Sequence, residues 1–502
     1  MEFVNQCIPP LDFNIPEYSD LTPISLRTPL FSNIKFKFPR RTKTVLNPLI
    51  LIVILCFIIT IFLTIFFRYK TNHNIQTSSG KANEQVKQYD ILWSFENTVN
   101  DINNLYPGFL MNNPFYIDGY VGKGLCFNGV NQYVDTTAPI DFLNRSFTVE
   151  VWVYWIDLYN YTFNGIFGQC SCDNTCISRC LHLLIRDKYA YLGFYENDLK
   201  GHTIIENSTW THITYVYDYS QYGQQEVYVN GLLDGRRTGK AYQGVTSNSV
   251  IGKSFVSAGV DSGQYFTGII DQLSVTFGIK TAKQILDDAT LCAYYSFDQG
   301  SLADFGPNGL NGTAMNTVSI KGHVNQALKF SMSTSYFQAA GFTALATSNK
   351  AFSIAFWINP LQIDKGTILF VSNTDDSWCL PFIGFTSNGT LVAQIKSDQN
   401  TIISTMGPTL EKNIWTHIAI TYSRFNGQRI YINGFLHSSS PKNISYSASE
   451  QSNYITVGTS LAFHSQCNQS KIQSGQFYGS IDELRIYSRE LIGTDIRTFI
   501  NI

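Results

Sequence analysis

The second half of this chain repeats the part before it, and this duplication restricts the fold more than any other feature of the sequence. Four segments recur in the same order, each copy roughly 200 residues after the first. The pairs are Phe147–Val153 with Phe352–Ile358, Trp210–Tyr215 with Trp415–Ile420, Val227–Gly231 with Ile430–Gly434, and Phe266–Asp271 with Phe477–Asp482. Two copies of so long a unit predict two domains rather than a solenoid of short repeats.

The repeated segments alternate apolar and polar residues, which is the period of β-strands. Phe147, Val149 and Val151 share one face of the first segment, and its second copy alternates in the same way. Asn230-Gly231 and Asn433-Gly434 predict tight hairpin turns, because both residue types tolerate positive φ. Charged residues make up only 14% of the chain and aromatic residues another 14%, which suits half-buried sheets. We therefore expect an all-β protein with little helix.

These motifs, in this order, resemble the laminin-G-like jelly roll of the concanavalin A-like lectin/glucanase superfamily. Each copy opens with a strand ending in Ser-Phe-acid and closes with a short helical segment. The resemblance covers residues 89–288 and 291–502 and implies two tandem jelly-roll β-sandwiches. Domains of this kind bind carbohydrates, other proteins or calcium, and some are accessories of enzymes, so the fold alone does not decide the function.

An uncharged apolar run predicts one transmembrane helix over residues 48–67. Leu49–Phe67 would span roughly 29 Å as a helix, close to the thickness of a bilayer core. We expect residues 1–47 to be a disordered cytoplasmic tail and residues 68–88 to be a flexible stalk. The span reads as an uncleaved signal anchor of a type II plasma-membrane protein. More basic residues precede it (Lys35, Lys37, Arg40, Arg41, Lys43) than follow it (Arg68, Lys70, Lys81).

Cysteines and glycosylation motifs agree with an extracellular position for the two domains. Eight of the ten cysteines follow the apolar run, which suggests an oxidising compartment. All seven Asn-X-Ser/Thr motifs follow it as well: Asn144, Asn160, Asn207, Asn311, Asn388, Asn443 and Asn468. The chain carries a net charge of −2, so we expect no nucleic-acid partner.

The eight cysteines after the apolar run suggest a disulfide framework. Cys170, Cys172, Cys176 and Cys180 could bind zinc, but their spacing and compartment favour two local disulfides. Cys379 and Cys467 fall in the second domain and can pair. A bond between the remaining two, Cys126 and Cys292, would tie the domains together. Spacing alone does not establish the connectivity.

Four acidic residues are candidate calcium ligands. Glu96 and Asp298 end the two opening strands, and Asp271 and Asp482 lie in the last strands. The resemblance implies that these strands are neighbours, so their carboxylates could hold Ca²⁺. The alternative is that Asp271 and Asp482 accept backbone hydrogen bonds at a strand corner.

The sequence predicts a binding protein rather than an enzyme. His212 and His417 recur after Trp-Thr, and we interpret them as structural residues within strands. No nucleophile elbow, His-Glu-x-x-His motif or Gly-rich phosphate loop is present. We expect a cell-surface protein that binds an extracellular glycan or protein through loops at one edge, with Ca²⁺ as the candidate cofactor. The alternatives are a structural or adhesion protein acting through contacts between domains, and a glycan-active hydrolase.

Overall fold

The computed structural model describes residues 89–157, 163–170, 177–244, 247–255, 263–373, 377–459, 467 and 471–500. Within them, the first copy of the repeat forms seventeen strands, which we call sandwich 1. The strands are β1 Ile91–Trp93, β2 Gly108–Met111, β3 Phe115–Asp118, β4 Lys123–Asn128, β5 Tyr133–Thr136, β6 Phe147–Trp155, β7 Phe163–Gln169, β8 Leu181–Arg186, β9 Tyr189–Gly193, β10 Asp198–Lys200, β11 Trp210–Asp218, β12 Gln224–Val229, β13 Leu232–Thr238, β14 Val250–Ile251, β15 Lys253–Phe255, β16 Gly263–Tyr265 and β17 Thr267–Thr276.

The second copy forms fifteen described strands, which we call sandwich 2. The strands are β18 Leu291–Tyr295, β19 Thr313–Met315, β20 Thr317–Lys321, β21 Gln326–Phe330, β22 Tyr336–Phe342, β23 Phe352–Pro360, β24 Thr367–Asn373, β25 Cys379–Phe385, β26 Thr390–Lys396, β27 Ile402–Thr409, β28 Thr416–Ser423, β29 Gly427–Ile432, β30 Phe435–Ser439, β31 Asn453–Val457 and β32 Gly479–Tyr487.

Each sandwich consists of an eight-stranded and a seven-stranded antiparallel sheet. In sandwich 1 the orders are β13-β12-β11-β6-β17-β4-β3, with β1 on β17, and β10-β9-β8-β7-β14-β5-β2. In sandwich 2 they are β20-β21-β32-β23-β28-β29-β30, with β18 on β32, and β19-β22-β31-β24-β25-β26-β27. Strands β15 and β16 form a separate hairpin in sandwich 1. The two sandwiches belong to one compact unit.

Helix is confined to short pieces near the sandwich ends. The described helices are α1 Ala282–Thr290, α2 Thr343–Ala346 and α3 Gly493–Thr498. Thr281 caps α1 by accepting from the backbone N–H of Gln284, whose side chain accepts from the backbone N–H of Thr281 in return. Helix α1 ends at Thr290 and β18 begins at Leu291, so one sandwich follows the other without a linker.

The repeated segments form strands as the sequence predicts, and their apolar faces fill the interior. Val149, Val151 and Val153 of β6 are fully buried in the core of sandwich 1. Both predicted hairpins adopt positive φ, at 51° and 80° for Asn230-Gly231 and at 47° and 79° for Asn433-Gly434. The prediction of two all-β sandwiches is confirmed.

The structure describes two disulfides, both between predicted disulfide cysteines. Cys170 bonds Cys180, and Cys379 bonds Cys467. Cys292 is a buried free thiol, and burial raises its pKa to about 12. Cys126 is disulfide-bonded, but not to Cys292, so the bond that could have tied the domains together does not form. Hydrophobic packing joins the sandwiches instead.

Several sequence predictions concern residues outside the described part of the chain. These are the tail 1–47, the membrane helix 48–67, the stalk 68–88, Cys172, Cys176, Asn160 and Asn468. No helix among the described residues is long and apolar enough to span a bilayer.

Candidate functional site

The four predicted acidic residues lie together in pairs, one pair in each sandwich, and each pair holds one loop. Asp271 Oδ2 accepts the backbone N–H of Val121 at 2.9 Å, and Glu96 Oε1 accepts that of Lys123 at 3.1 Å. In sandwich 2, Asp482 Oδ2 accepts the backbone N–H of Val324 and Asp298 Oδ1 that of Gln326, both at 2.9 Å. The expectation that the opening and closing strands are neighbours is therefore correct.

Burial governs the titration of these groups. Desolvation raises the pKa of Asp271 well above its usual value, although backbone donors act in the opposite direction. Burial likewise raises the pKa of Asp482 to about 8. The neighbouring Glu96 also has a raised pKa, again mainly through desolvation. Asp482 is therefore favoured in its neutral form at pH 7.

The calcium prediction remains a prediction. In the described part of the chain, no group of three or more His, Cys, Asp or Glu side chains is arranged to hold a metal ion. The carboxylates of Glu96, Asp271, Asp298 and Asp482 accept backbone N–H groups, as the alternative reading expected for the two late-strand residues.

In each sandwich, the loop that the acidic pair holds places an aromatic ring parallel to the ring of a tryptophan. The ring of Tyr120 stacks on Trp152 with 3.5 Å between centroids, and Trp210 meets it edge-on at 5.9 Å. We call these three residues the tyrosine stack. In sandwich 2, His323 stacks on Trp357 at 3.5 Å and meets Trp415 at 6.4 Å. We call these residues the histidine stack.

The repeated histidines lie beneath these stacks. His212 is 5.0 Å from Trp152 and His417 is 5.3 Å from Trp357, centroid to centroid. Both are buried, and desolvation lowers the pKa of each to about 3. They are therefore neutral packing residues at physiological pH.

The seam between the sandwiches encloses a small polar cavity. Glu150 on β6 forms a buried ion pair with Lys280, which also contacts Asp288 at 2.8 Å. Desolvation raises the pKa of Glu150, against the opposing effect of Lys280. Sandwich 2 has Ala355 at the position of Glu150. The cavity is lined by Tyr89, Glu150, Trp152, His212, Gln272, Ser274, Asp288, Pro307 and Asn308.

A second candidate site lies on the outward face of the seven-stranded sheet of sandwich 1. Strand β8 pairs with β9 so that Arg186 lies opposite Tyr189, and with β7 so that Arg186 lies opposite Phe163. Inward residues such as Ala190 and Leu192 fill the core, so the alternate residues point away from it. We call Phe163, Arg186, Tyr189, Tyr191, Asp198 and Lys200 the aromatic face.

Cations lie over the rings of the aromatic face. The Arg186 guanidinium carbon lies 4.7 Å from the ring centroid of Phe163 and 5.5 Å from that of Tyr191. Lys200 Nζ lies 3.8 Å from the ring centroid of Tyr189. The three aromatic residues are half-buried, so each is partly accessible to solvent beside a charged donor.

A buried histidine fixes the acidic member of the aromatic face. His182 Nε2 lies 3.2 Å from Asp198 Oδ1. Burial acts to raise the pKa of Asp198, but His182, Arg186 and the Asn197 backbone together outweigh it and hold the pKa below its usual value. Asp198 pairs across the sheet with Gly193, where a Cβ atom would collide with both side chains. Glycine at position 193 therefore makes room for the pair.

The hairpin of β15 and β16 borders the aromatic face on the β7 side. It packs so closely on β7 that a Cβ atom added to Gly168 would lie 2.9 Å from Ser254 Cα. Lys253 Nζ lies 4.7 Å from the ring of Tyr133 and 5.3 Å from the ring of Tyr265. These residues add a second group of half-exposed rings with a cation beside the first.

Sandwich 2 fills the equivalent surface with its own chain. The register of β25 and β26 places Val392 at the position of Tyr191, and Val392 is fully buried. Gln394 stands where sandwich 1 has Gly193, and its Oε1 accepts the backbone N–H of Lys471 at 3.0 Å. Ile472 packs against Gly384. An aromatic face of this type is therefore present only on sandwich 1 among the residues that the structure describes.

The described glycosylation motifs are all accessible. The asparagines Asn144, Asn207, Asn311, Asn388 and Asn443 are exposed to solvent. None of them belongs to the aromatic face, so glycosylation there remains compatible with ligand binding on sandwich 1.

Sequence reasoning missed both the ring stacks and the aromatic face. The loops were detectable, since Gly119-x-Val121 and Gly322-x-Val324 recur before matched Leu and Phe residues. In the sequence, the aromatic face is visible only as the alternation Tyr189-x-Tyr191. Any half-buried strand can show this pattern.

Comparison with known proteins agrees with the observed fold. The Laminin_G_3 model of the concanavalin A-like lectin/glucanases superfamily matches residues 128–286 and 331–497. No relative was found among curated protein sequences. The two matched regions fall in sandwiches 1 and 2, respectively, and together cover more than half of the chain.

Solved structures similar to this chain include one domain of an extracellular enzyme and the binding domains of other proteins. Domain 4 of AbnA, an extracellular GH43 arabinanase from Geobacillus stearothermophilus solved with arabinotriose, is 20% identical, with 42% of this chain and 98% of that chain covered and a TM-score of 0.29. The binding domain of botulinum neurotoxin serotype G is 18% identical, with 41% and 50% covered and a TM-score of 0.32. The binding domain of Paraclostridial Mosquitocidal Protein 1 is 20% identical, with 43% and 52% covered and a TM-score of 0.33.

The chain spans about half the length of the toxin domains that it matches. Likeness at this identity concerns the fold and does not transfer a ligand. The family match and the paired antiparallel sheets together show that this chain belongs to the Laminin_G_3 family of the concanavalin A-like lectin/glucanases superfamily.

Proposed function

We propose that this chain is a membrane-anchored cell-surface protein that binds an extracellular glycan on the aromatic face of sandwich 1. The observation that carries the proposal is the set of half-exposed rings, Phe163, Tyr189 and Tyr191, on one sheet face with charged groups beside them. A rigid sheet holds these groups in fixed positions, which reduces the entropic cost of binding.

The chemistry of the aromatic face suits a sugar ring. A pyranose has a face of C–H groups that packs on an aromatic ring, and hydroxyls around its edge. Tyr189 and Tyr191 offer the rings, Arg186 and Lys200 offer donors, and Asp198 offers an acceptor held by His182. Such a surface combines apolar contact with directed hydrogen bonds, as ligand sites generally do.

The contrast with sandwich 2 supports a binding role for this surface. The same face of sandwich 2 is covered by the segment containing Lys471 and Ile472, which the Cys379–Cys467 disulfide holds nearby. Buried Val392 and Gln394 there take the places of Tyr191 and Gly193. The two copies share a fold, and among the described residues only sandwich 1 has half-buried aromatic residues at these positions.

The extracellular position rests on the sequence. The apolar run over residues 48–67, the basic residues before it and the exposed described sequons after it all suit a type II membrane protein. The two disulfides among the described residues also suit an oxidising compartment. Protease treatment of intact cells tests this point, because sandwiches outside the cell would be removed while an intracellular marker is spared.

A glycan array probed with the full chain in detergent tests the ligand. We expect binding that falls at least tenfold in Tyr191→Ala and in Arg186→Ala, because each removes a ring or a donor from the aromatic face. Tyr222 is 86% exposed in a turn of the same sandwich, so Tyr222→Ala is the matched control and should bind normally.

Melting curves accompany the array, so that loss of binding is separated from loss of fold. Tyr191→Phe keeps the ring and should retain most binding if stacking dominates. Binding to no glycan, or binding that both Tyr191→Ala and Arg186→Ala leave unchanged, would refute the proposal. Turnover of a bound glycan would replace it with the hydrolase alternative.

A further inference from the structure

The tyrosine stack of sandwich 1 is covered by sandwich 2. Tyr120 and Val121 are only 8% and 7% exposed, and with Trp152 they belong to the same hydrophobic cluster as the core of sandwich 2. The phenol of Tyr120 lies beside the side chains of Thr343 and Ser488 in sandwich 2. The chain therefore already uses one such stack as a docking surface for a neighbouring sandwich.

The histidine stack has the same construction but is open. His323 is exposed, and Val324 and Trp415 are half-buried, although the loop is held by Asp482 just as Asp271 holds its counterpart. Ile414 and Leu361 at its border are 49% and 39% exposed. Accessible apolar side chains gathered around a flat ring are typical of an interaction surface.

The end of sandwich 2 that covers the tyrosine stack has an equivalent at the end of sandwich 1. Ser488, which contacts Tyr120, is the first residue after β32, and Phe277 is the first residue after the equivalent strand β17. Phe277 is half-buried, with the guanidinium carbon of Arg145 4.7 Å from its ring centroid. Nearby Ile279 is 48% exposed. This end of sandwich 1 therefore offers a ring and an apolar side chain where sandwich 2 offers Ser488.

We infer that the histidine stack is a docking surface for the sandwich 1 end of a second copy of this chain. Within one chain, the end of sandwich 2 that carries Ser488 covers the tyrosine stack of sandwich 1. In the proposed contact, the equivalent end of sandwich 1 of the second copy covers the histidine stack, with its Phe277 at His323. Ring-on-ring contact and burial of Ile279 with Ile414 would stabilise it. The contact joins two different surfaces, so it is heterologous and can continue from copy to copy along a membrane.

Cysteine cross-linking of full-length chains tests this contact directly. One tagged chain carries His323→Cys and a second, differently tagged chain carries Phe277→Cys, and the two are mixed in detergent under mild oxidation. We expect a covalent dimer that contains both tags. Because Phe277 packs on Phe142, Ile279→Cys on the exposed side is the second partner variant. Tyr222→Cys replaces the partner cysteine in the control and should give no dimer.

Sedimentation of the wild-type chain provides the second readout. Val324→Asp should reduce association at least tenfold, because it places a charge in the contact, whereas glycan binding should be unchanged. A monomeric wild-type chain, association that Val324→Asp leaves intact, or the absence of any mixed dimer would overturn the inference. Dimers formed by His323→Cys alone would also overturn it, because they would require a symmetric contact.

Discussion

Asp271 and Asp482 occupy the same position in the two sandwiches, but their carboxylates are satisfied differently. Asp271 accepts the Val121 N–H on Oδ2 and the Gln272 N–H on Oδ1, at 2.9 and 2.7 Å. Asp482 accepts the Val324 N–H on Oδ2, whereas its buried Oδ1 has no hydrogen-bond partner within the described part of the chain. The same substitution should therefore have unequal effects in the two copies.

We expect Asp271→Asn to destabilise sandwich 1 by about 1–3 kcal/mol, because the amide N–H₂ would face a backbone donor in place of an acceptor. Asp482→Asn should cost less than about 1 kcal/mol, since the amide can occupy the unpartnered side. Urea unfolding of both variants, followed by tyrosine and tryptophan fluorescence, measures the difference. Equal losses, or a larger loss for Asp482→Asn, would contradict it.

The raised pKa of Asp482 predicts that stability falls as the pH increases. The folded pKa of about 8 lies above the unfolded value of about 4, so the folded state holds the proton more tightly. The stabilisation from this group is complete below about pH 4 and is lost as the pH rises through 8. Unfolding free energies at pH 5 and pH 8.5 should differ by less in Asp482→Asn than in the wild type. An unchanged slope would show that Asp482 titrates normally.

Calcium binding by the four acidic residues would have to compete with backbone donors. Each Asp271 oxygen accepts its own N–H group and the two Glu96 oxygens share the Lys123 N–H, so a cation there would leave those N–H groups unpaired. We therefore expect no heat in a calorimetric titration with Ca²⁺ and no change of melting temperature after EDTA. A rise of the melting temperature with Ca²⁺ that is lost in Glu96→Gln would restore the calcium site.

The sequence predicts the sandwiches well because period-2 patterns and Asn-Gly turns act locally. Val149 to Val153 alternate with the outward residues of β6, and Asn433-Gly434 adopts its turn as expected. The aromatic face could not be predicted in this way. Tyr191 and Val392 both look like ordinary strand residues, and only the long-range pairing and the segment at Ile472 decide which of them remains accessible.

The disulfides also depend on long-range packing that local sequence patterns do not reveal. Cys379 and Cys467 are 88 residues apart, and only the fold brings them together. Cys292 could not be assigned from its spacing, because its environment is set by the seam between the sandwiches, where it is buried as a thiol. Local rules give the elements of this protein, and the assembly of those elements gives its surfaces.

Removing the Cys379–Cys467 bond should cost sandwich 2 more than removing Cys170–Cys180 costs sandwich 1. Closing a loop of 88 residues rather than 10 restricts the unfolded chain more, which corresponds to about 4–5 against about 3 kcal/mol. Paired alanine variants compared by urea unfolding test the order. A larger loss for the Cys170–Cys180 variant would mean that native packing, rather than loop length, dominates.

Gly193→Ala connects the stability of sandwich 1 with ligand binding on it. The new Cβ would collide with His182 Nε2 and Asp198 Oδ1, so the 3.2 Å contact between them must break or the sheet must shift. Because His182 is buried, losing its partner should cost about 1–3 kcal/mol, and the displaced Asp198 should weaken glycan binding.

The matched control is Gly493→Ala at the start of α3, where the nearest atom to the new Cβ is the Arg497 guanidinium at 3.2 Å and a helix favours alanine. We expect the control to leave both the melting temperature and glycan binding near the wild-type values. If Gly193→Ala did the same, the aromatic face would not depend on the His182–Asp198 pair.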